Sequence, residues 1–147
     1  MVRQHYRRNV WLKALAVAAL LWLSSAELSH SAMAHSLSGQ PGDPVRGRAI
    51  AVDPNKGNCI ICHAMPIPEI PSAAFGNIGP SLAGIGSRQS AQTLRQRIVD
   101  PKSLSADTIM PAYFTTHLYR VRAPYAGKSI LSAQEIEDVV AYLVSLK

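Results

Sequence analysis

The clearest periodicity in the chain lies at its C-terminal end, where Ile136, Val139, Val140, Leu143 and Leu146 recur at helical spacing. Ser132 and Glu135 stand at the head of that run as a capping box, each side chain able to take a backbone N–H that the first turn leaves unpaired. Glu135, Glu137 and Asp138 set negative charge near the positive end of the helix dipole, and Lys147 stands at the other end. A second helix is expected over Ala91–Val99: Ser90 caps it, Leu94 and Ile98 share one face, and Asp100-Pro101 ends it. A third is expected over Pro44–Val52. Asp43 is its cap, Pro44 occupies the first position, where a missing N–H costs nothing, and Pro54 stops it. Val45, Ala49 and Val52 fall on one face of this helix and are its expected apolar side.

Between these helices no strand alternation survives. Residues 64–89 hold Pro66, Pro68, Pro71, Gly76, Gly79, Pro80, Gly84 and Gly86, and residues 102–131 form another long connection. Two such loops normally count against a compact domain; they become reasonable when they wrap a cofactor. The pattern therefore predicts an all-α domain built around something other than protein.

The chain has 147 residues, and its beginning reads as a secretory signal peptide. Arg3, Arg7, Arg8 and Lys13 make a basic start, and residues 14–23 form an apolar run too short for a bilayer, which needs ~20 residues. Ala32-Met33-Ala34 follows as a cleavage pattern, so 1–34 is expected to be removed and 35–147 to form one domain, exported to the periplasm with no membrane span. Arg7-Arg8 raises the twin-arginine route, which exports folded proteins. The leader holds four of the 15 basic residues and one of the nine acidic ones, so the net charge falls from +6 to +3 without it. No basic stripe with interleaved aromatics remains, which removes the support for nucleic-acid binding.

A domain this small buries only a modest core and is commonly stapled by disulfides or a cofactor. There are two cysteines, in Cys59-Ile60-Ile61-Cys62-His63. Cys-x-x-Cys-His is the pattern of c-type haem attachment. Positions i, i+3 and i+4 of a helical turn share a face, so two thiols can form thioethers with one porphyrin edge while the imidazole reaches the iron. A structural zinc site would need a fourth clustered ligand. A thioredoxin-like pair would need a βαβ scaffold. A plain disulfide gives His63 no part.

An iron held by His63 on one side needs a partner on the other, unless it binds gases. Met110, in Asp107-Thr108-Ile109-Met110-Pro111, is the favoured distal ligand: Pro111 restrains its backbone, and a thioether favours the ferrous state. His117 is the alternative. Met65 lies too close to His63 to cross to the other face, and His35 lies in the lead-in. The Gly79-Pro80 turn can aim a carbonyl at Nδ1 of His63, the usual support of a ligating histidine. Arg88 can pair with a haem propionate.

Residues 59–63, Gly79-Pro80-x-Leu82-x-Gly84, Thr108-x-Met110-Pro111 and the last helix resemble, in order, the class I cytochromes c. That resemblance implies an all-α fold in which the first and last helices cross beside one covalent haem c. Lys56-Gly57-Asn58-Cys59, residues 76–82, residues 97–102, Thr108-Ile109-Met110-Pro111-Ala112-Tyr113 and residues 127–143 are similar to the SoxX family, the monohaem subunits of SoxAX cytochromes. The likeness implies a SoxA-type cytochrome subunit as partner. It implies thiosulfate coupling to a cysteine of the SoxYZ carrier through that complex, and a downstream cytochrome or oxidase as acceptor. It implies catalysis only within the complex, as an L-cysteine S-thiosulfotransferase; the absence of a third cysteine suits a relay rather than a catalytic subunit. A free-standing electron carrier is the competing class, and a gas-binding or peroxidase-type haem protein a third. The segment 113–129, with Tyr113, Phe114, Tyr119, Arg120, Arg122 and Tyr125, has the composition of a partner-facing surface.

Overall fold

Asp43 opens the first helix as expected. Its carboxylate accepts the backbone N–H groups of Val45 (2.8 Å) and Arg46 (3.2 Å), and α1 runs Pro44–Val52. The computed structural model describes residues 36–116 and 126–147. The expected signal peptide, its cleavage after Ala34, His35 and His117 all fall outside the described residues, as do Tyr119, Arg120, Arg122 and Tyr125.

Among the described residues four α-helices follow one another: α1, then α2 (Ile85–Arg88), α3 (Ala91–Val99) and α4 (Ala133–Ser145). Short 3-10 turns stand at Cys59–Ile61, Ser72–Ala74 and Pro101–Ser103, and no strand occurs among the described residues. Ser90 caps α3 by accepting from Thr93 N–H at 3.1 Å. The capping box of α4 is complete: Ser132 N–H donates to Glu135 at 2.9 Å and Glu135 N–H to Ser132 Oγ at 3.3 Å. Helix α2 was not legible in its Gly-rich stretch; it packs on α4, with Gly86 N–H donating to the Leu146 carbonyl at 2.8 Å.

Helices α1 and α4 pack closely against each other. A Cβ on Gly47 would overlap the main chain of Asp138, so only glycine permits this approach. The contact decides which face of α1 turns inward. Gly47, Ile50 and Ala51 are buried and Val52 packs against the core as expected, whereas Val45 is 77% exposed and Ala49 is exposed, which corrects the rest of the expected face. The core gathers Ile50, Ala51, Leu94, Ile98, Ile136, Val139, Val140, Tyr142 and Leu143, with Met65, Ile67 and Leu131 from the connections.

Glu137 and Asp138, placed near the start of α4 as expected, have a further part there: they are buried, at 4% and 2% exposure. Asp138 grips Arg46 through Nε (2.8 Å) and Nη2 (3.0 Å) and accepts the Asp43 N–H at 2.8 Å. Glu137 grips Arg95 through Nε (2.7 Å) and Nη2 (2.8 Å) and accepts the Leu37 N–H at 2.9 Å. Two-point pairs of this kind satisfy a buried carboxylate that would otherwise be costly. They tie α4 to α1, to α3 and to the chain ahead of α1.

Candidate functional site

The turn after α1 prepares the cysteines. Gly57 N–H returns to the Ile50 carbonyl (3.1 Å) and Asn58 N–H to the Asp53 carbonyl (3.1 Å), while Asn58 takes a left-handed backbone at φ 44°, which asparagine tolerates better than most residues. The chain then enters the Cys59–Ile61 turn, closed by His63 N–H on the Cys59 carbonyl at 3.0 Å. Cys59, Cys62 and His63 thereby line one cavity of 710 Å³, within the ~300–1,000 Å³ common for cofactor sites. Neither thiol is in a disulfide, and burial pushes the Cys59 thiol up to about 11.

A second segment runs alongside the first. Gly76 N–H donates to the Ile60 carbonyl (2.8 Å), Gly79 N–H to Cys62 (2.8 Å) and Leu82 N–H to Ala64 (2.9 Å). This pairing sets the Pro80 carbonyl 2.6 Å from His63 Nδ1. With Nδ1 donating there, Nε2 is left as the ring's acceptor, the atom by which a neutral imidazole binds a metal. Gly79 lies flat against the ring, where a Cβ would strike its Cε1 and Nδ1.

Met110 lines the same cavity, half-buried, with its N–H on Thr108 Oγ1 at 3.2 Å. Met65 is buried in the core at 5% exposure and does not line it. Helices α3 and α4 contribute Leu94, Ile98, Val139 and Leu143 to the wall. Ile61, Ile78 and Ile109 also line the cavity yet remain 62%, 65% and 78% exposed, so its margin is apolar.

Arg88 is elsewhere. Its guanidinium donates to the carbonyls of Ala83 (2.6 Å) and Ser81 (3.2 Å), closing the loop ahead of α2, and it is not part of the lining. The arginine that does line the cavity is Arg97, exposed on α3 one turn before Asp100. Sequence reasoning missed it, although the three-residue step from Leu94 places it beside a core position. Tyr113 is likewise a cavity residue rather than a surface one: it is half-buried, and its hydroxyl donates to the Gly57 carbonyl at 2.8 Å.

The donor set is two thiols, an oriented imidazole and a thioether around an apolar space. That set suits a covalently attached haem, and no three His, Cys, Asp or Glu side chains among the described residues converge as a site for a bare metal ion. No helix among the described residues is long and apolar enough to cross a membrane.

Comparison with known proteins agrees. The family model described as cytochrome c matches residues 44–147. The crystal structure of SoxXA from P. pantotrophus superposes with a TM-score of 0.67 at 37% identity, covering 76% of this chain and 87% of that one. An uncharacterized lipoprotein of Aquifex aeolicus (strain VF5) is 38% identical over 88 residues, 60% of this chain; the chain matches 36% of that relative's length. The family match begins at α1 and runs through the Cys59–Ile61 turn, the cavity and α4, so the chain, which is similar to SoxXA, belongs to the cytochrome c family, electron-transfer proteins that carry haem c.

Proposed function

We propose that this protein is the electron-relay subunit of a SoxAX-type complex. The carrying observation is that Met110 lines one cavity with Cys59, Cys62 and His63 although it stands 47 residues beyond His63 in the chain. In this reading Cys59 and Cys62 would attach the haem, and His63, steadied by Pro80, and Met110 would be the residues that hold its iron. A haem so held supplies reversible one-electron exchange, and a His/Met pair favours its ferrous form. The chain's own part is to hold the imidazole by one nitrogen, keep water from the cavity with Leu94, Ile98, Val139 and Leu143, and leave an apolar margin for docking. Exposed apolar residues gathered around a site are a common mark of a partner surface.

The 37% identity to SoxXA supports a SoxA-type cytochrome as partner; that the pair would act on thiosulfate and a SoxYZ cysteine is the further part of this proposal. Electrons would pass on to a further cytochrome or oxidase. Residues 1–34 are proposed as a cleaved leader and 35–147 as the periplasmic domain.

The test is export of the full chain together with an affinity-tagged SoxA-type subunit, followed at the haem absorbance. The two should co-elute, and acid–acetone extraction should leave the colour on this polypeptide. Elution of the coloured chain by itself would make it a free-standing carrier. Colour lost on extraction would overturn attachment through Cys59 and Cys62.

A further inference from the structure

The segment that carries Met110 is held in two different ways on its two sides. Upstream, Lys102 Nζ donates to the carbonyls of Ala106 (3.0 Å) and Thr108 (3.2 Å), and Thr108 accepts the Met110 N–H. Those bonds stiffen the loop but join it only to itself. Downstream, Tyr113 makes three bonds to three other parts of the chain. Its N–H donates to the Ile98 carbonyl on α3 (3.0 Å), its carbonyl accepts the Leu131 N–H ahead of α4 (2.9 Å), and its hydroxyl reaches the Gly57 carbonyl (2.8 Å).

Gly57 is buried two residues before Cys59, and both Gly57 and Tyr113 line the cavity. The hydroxyl bond therefore joins the loop of Met110 directly to the attachment turn, across 56 residues of sequence. Burial raises the Tyr113 hydroxyl above its ordinary value, so it stays a protonated donor throughout the physiological range.

We infer that Tyr113 is a positioning residue: its hydroxyl, bonded to the Gly57 carbonyl, clasps the Met110 loop against the attachment turn and sets how readily Met110 yields its place to an external ligand. The inference rests on the reading of Met110 as the distal ligand. An open loop would let a small ligand enter where the thioether sits. A closed one makes that ligand work against the clasp, the loop's two backbone anchors and the packing of the Tyr113 ring. Only the clasp depends on the hydroxyl.

The experiment titrates ferric holoprotein with imidazole, following the Soret band and the weak long-wavelength band of thioether-to-iron charge transfer. Wild type, Tyr113→Phe and Met110→Ala are compared. The phenylalanine keeps the ring and its packing, so the fold is retained, which far-ultraviolet circular dichroism checks. Tyr113→Phe should keep the charge-transfer band without imidazole and bind imidazole about fivefold more tightly, the effect of one net hydrogen bond. Met110→Ala should lack the band and bind more tightly still. A Tyr113→Phe protein with a lowered urea midpoint but wild-type imidazole affinity would overturn the inference, since a merely structural bond would do that. A Met110→Ala protein that keeps the band would overturn the distal-ligand reading itself, a different failure visible in a different arm.

Discussion

Replacing Gly47 with alanine sets two effects of opposite sign against each other. Within a helix, alanine is favoured over glycine by ~1 kcal/mol. At this position, however, the new Cβ would overlap the carbonyl of Asp138 and come within 2.9 Å of Tyr142 Cβ. A main-chain carbonyl inside α4 cannot swing aside, so α1 and α4 must move apart. Separation loosens Ile50 and Ala51 in the shared core. It also stretches the bonds from the Asp138 carboxylate to Arg46 (2.8 and 3.0 Å) and to the Asp43 N–H (2.8 Å). Overpacking of this kind costs ~1–3 kcal/mol, and a weakened hydrogen-bonded pair adds ~1 kcal/mol. Set against the helical gain, the expected net loss is about 2 kcal/mol. Urea denaturation of the holoprotein should show a midpoint lower by ~1–2 M with an unchanged slope, for a slope of ~1–2 kcal/mol/M. Since Val139 and Leu143 line the cavity from the same helix, the circular dichroism of the Soret region should change as well. A variant as stable as wild type, with the same Soret signal, would refute the close crossing; a more stable one would mean that helix propensity had won.

Two other perturbations follow from the same geometry. Burial alone would raise the Asp138 carboxyl, but it is outweighed by hydrogen bonds from Arg46, the Asp43 N–H and Gln134, which hold it below the ordinary carboxylate range. Its stabilisation is therefore complete above the unfolded value of ~3.9 and is lost as pH falls through the lowered folded value. The stability gap between wild type and Asp138→Asn should be flat near neutral pH and close in acid; denaturation curves recorded across that range check it, and a gap that persists undiminished at the lowest pH would count against the pair. Arg97→Gln should lower the midpoint potential in a spectroelectrochemical titration, because it removes a positive charge from the cavity lining, whereas Arg88→Gln should leave the potential in place. The reverse pattern would return the propionate role to Arg88.

The helices were legible to the residue where their signals are local. Asp43-Pro44 bounds α1, Ser90 bounds α3, and the Ser132–Glu135 box opens α4, because a cap acts within one turn of itself. The same holds for the grouping of Cys59, Cys62 and His63, where thiols and imidazole need only one turn to share a wall. What failed was whatever a distant partner decides. Val45 and Ala49 are as apolar as Ile50 and Ala51, so nothing in α1 itself selects its inward face. The close approach of Gly47 to α4 does. The dipole reading of Glu137 and Asp138 stands, but their burial in ion pairs was hidden because their partners, Arg95 and Arg46, stand 42 and 92 residues away. Arg88 and Arg97 present similar side chains nine residues apart, and only the packing of α3 beside the cavity separates them.

Pro80 is the instructive intermediate case. Its carbonyl meets His63 across 17 residues, yet it could be anticipated, because a rigid Gly-Pro turn has few ways to lie beside a preceding turn and the bonds at Ile60, Cys62 and Ala64 fix one of them. Tyr113 had no such rigid frame, and its aromatic ring suited a partner surface as well as a core. Its hydroxyl finds Gly57 only once α3 and α4 have brought residues 98 and 131 to either side of it. In this chain, then, the groups proposed to attach the cofactor lie within five adjacent residues. The groups that decide how firmly the site closes depend on helix packing, and substitutions there should alter ligand exchange while leaving the attachment chemistry intact.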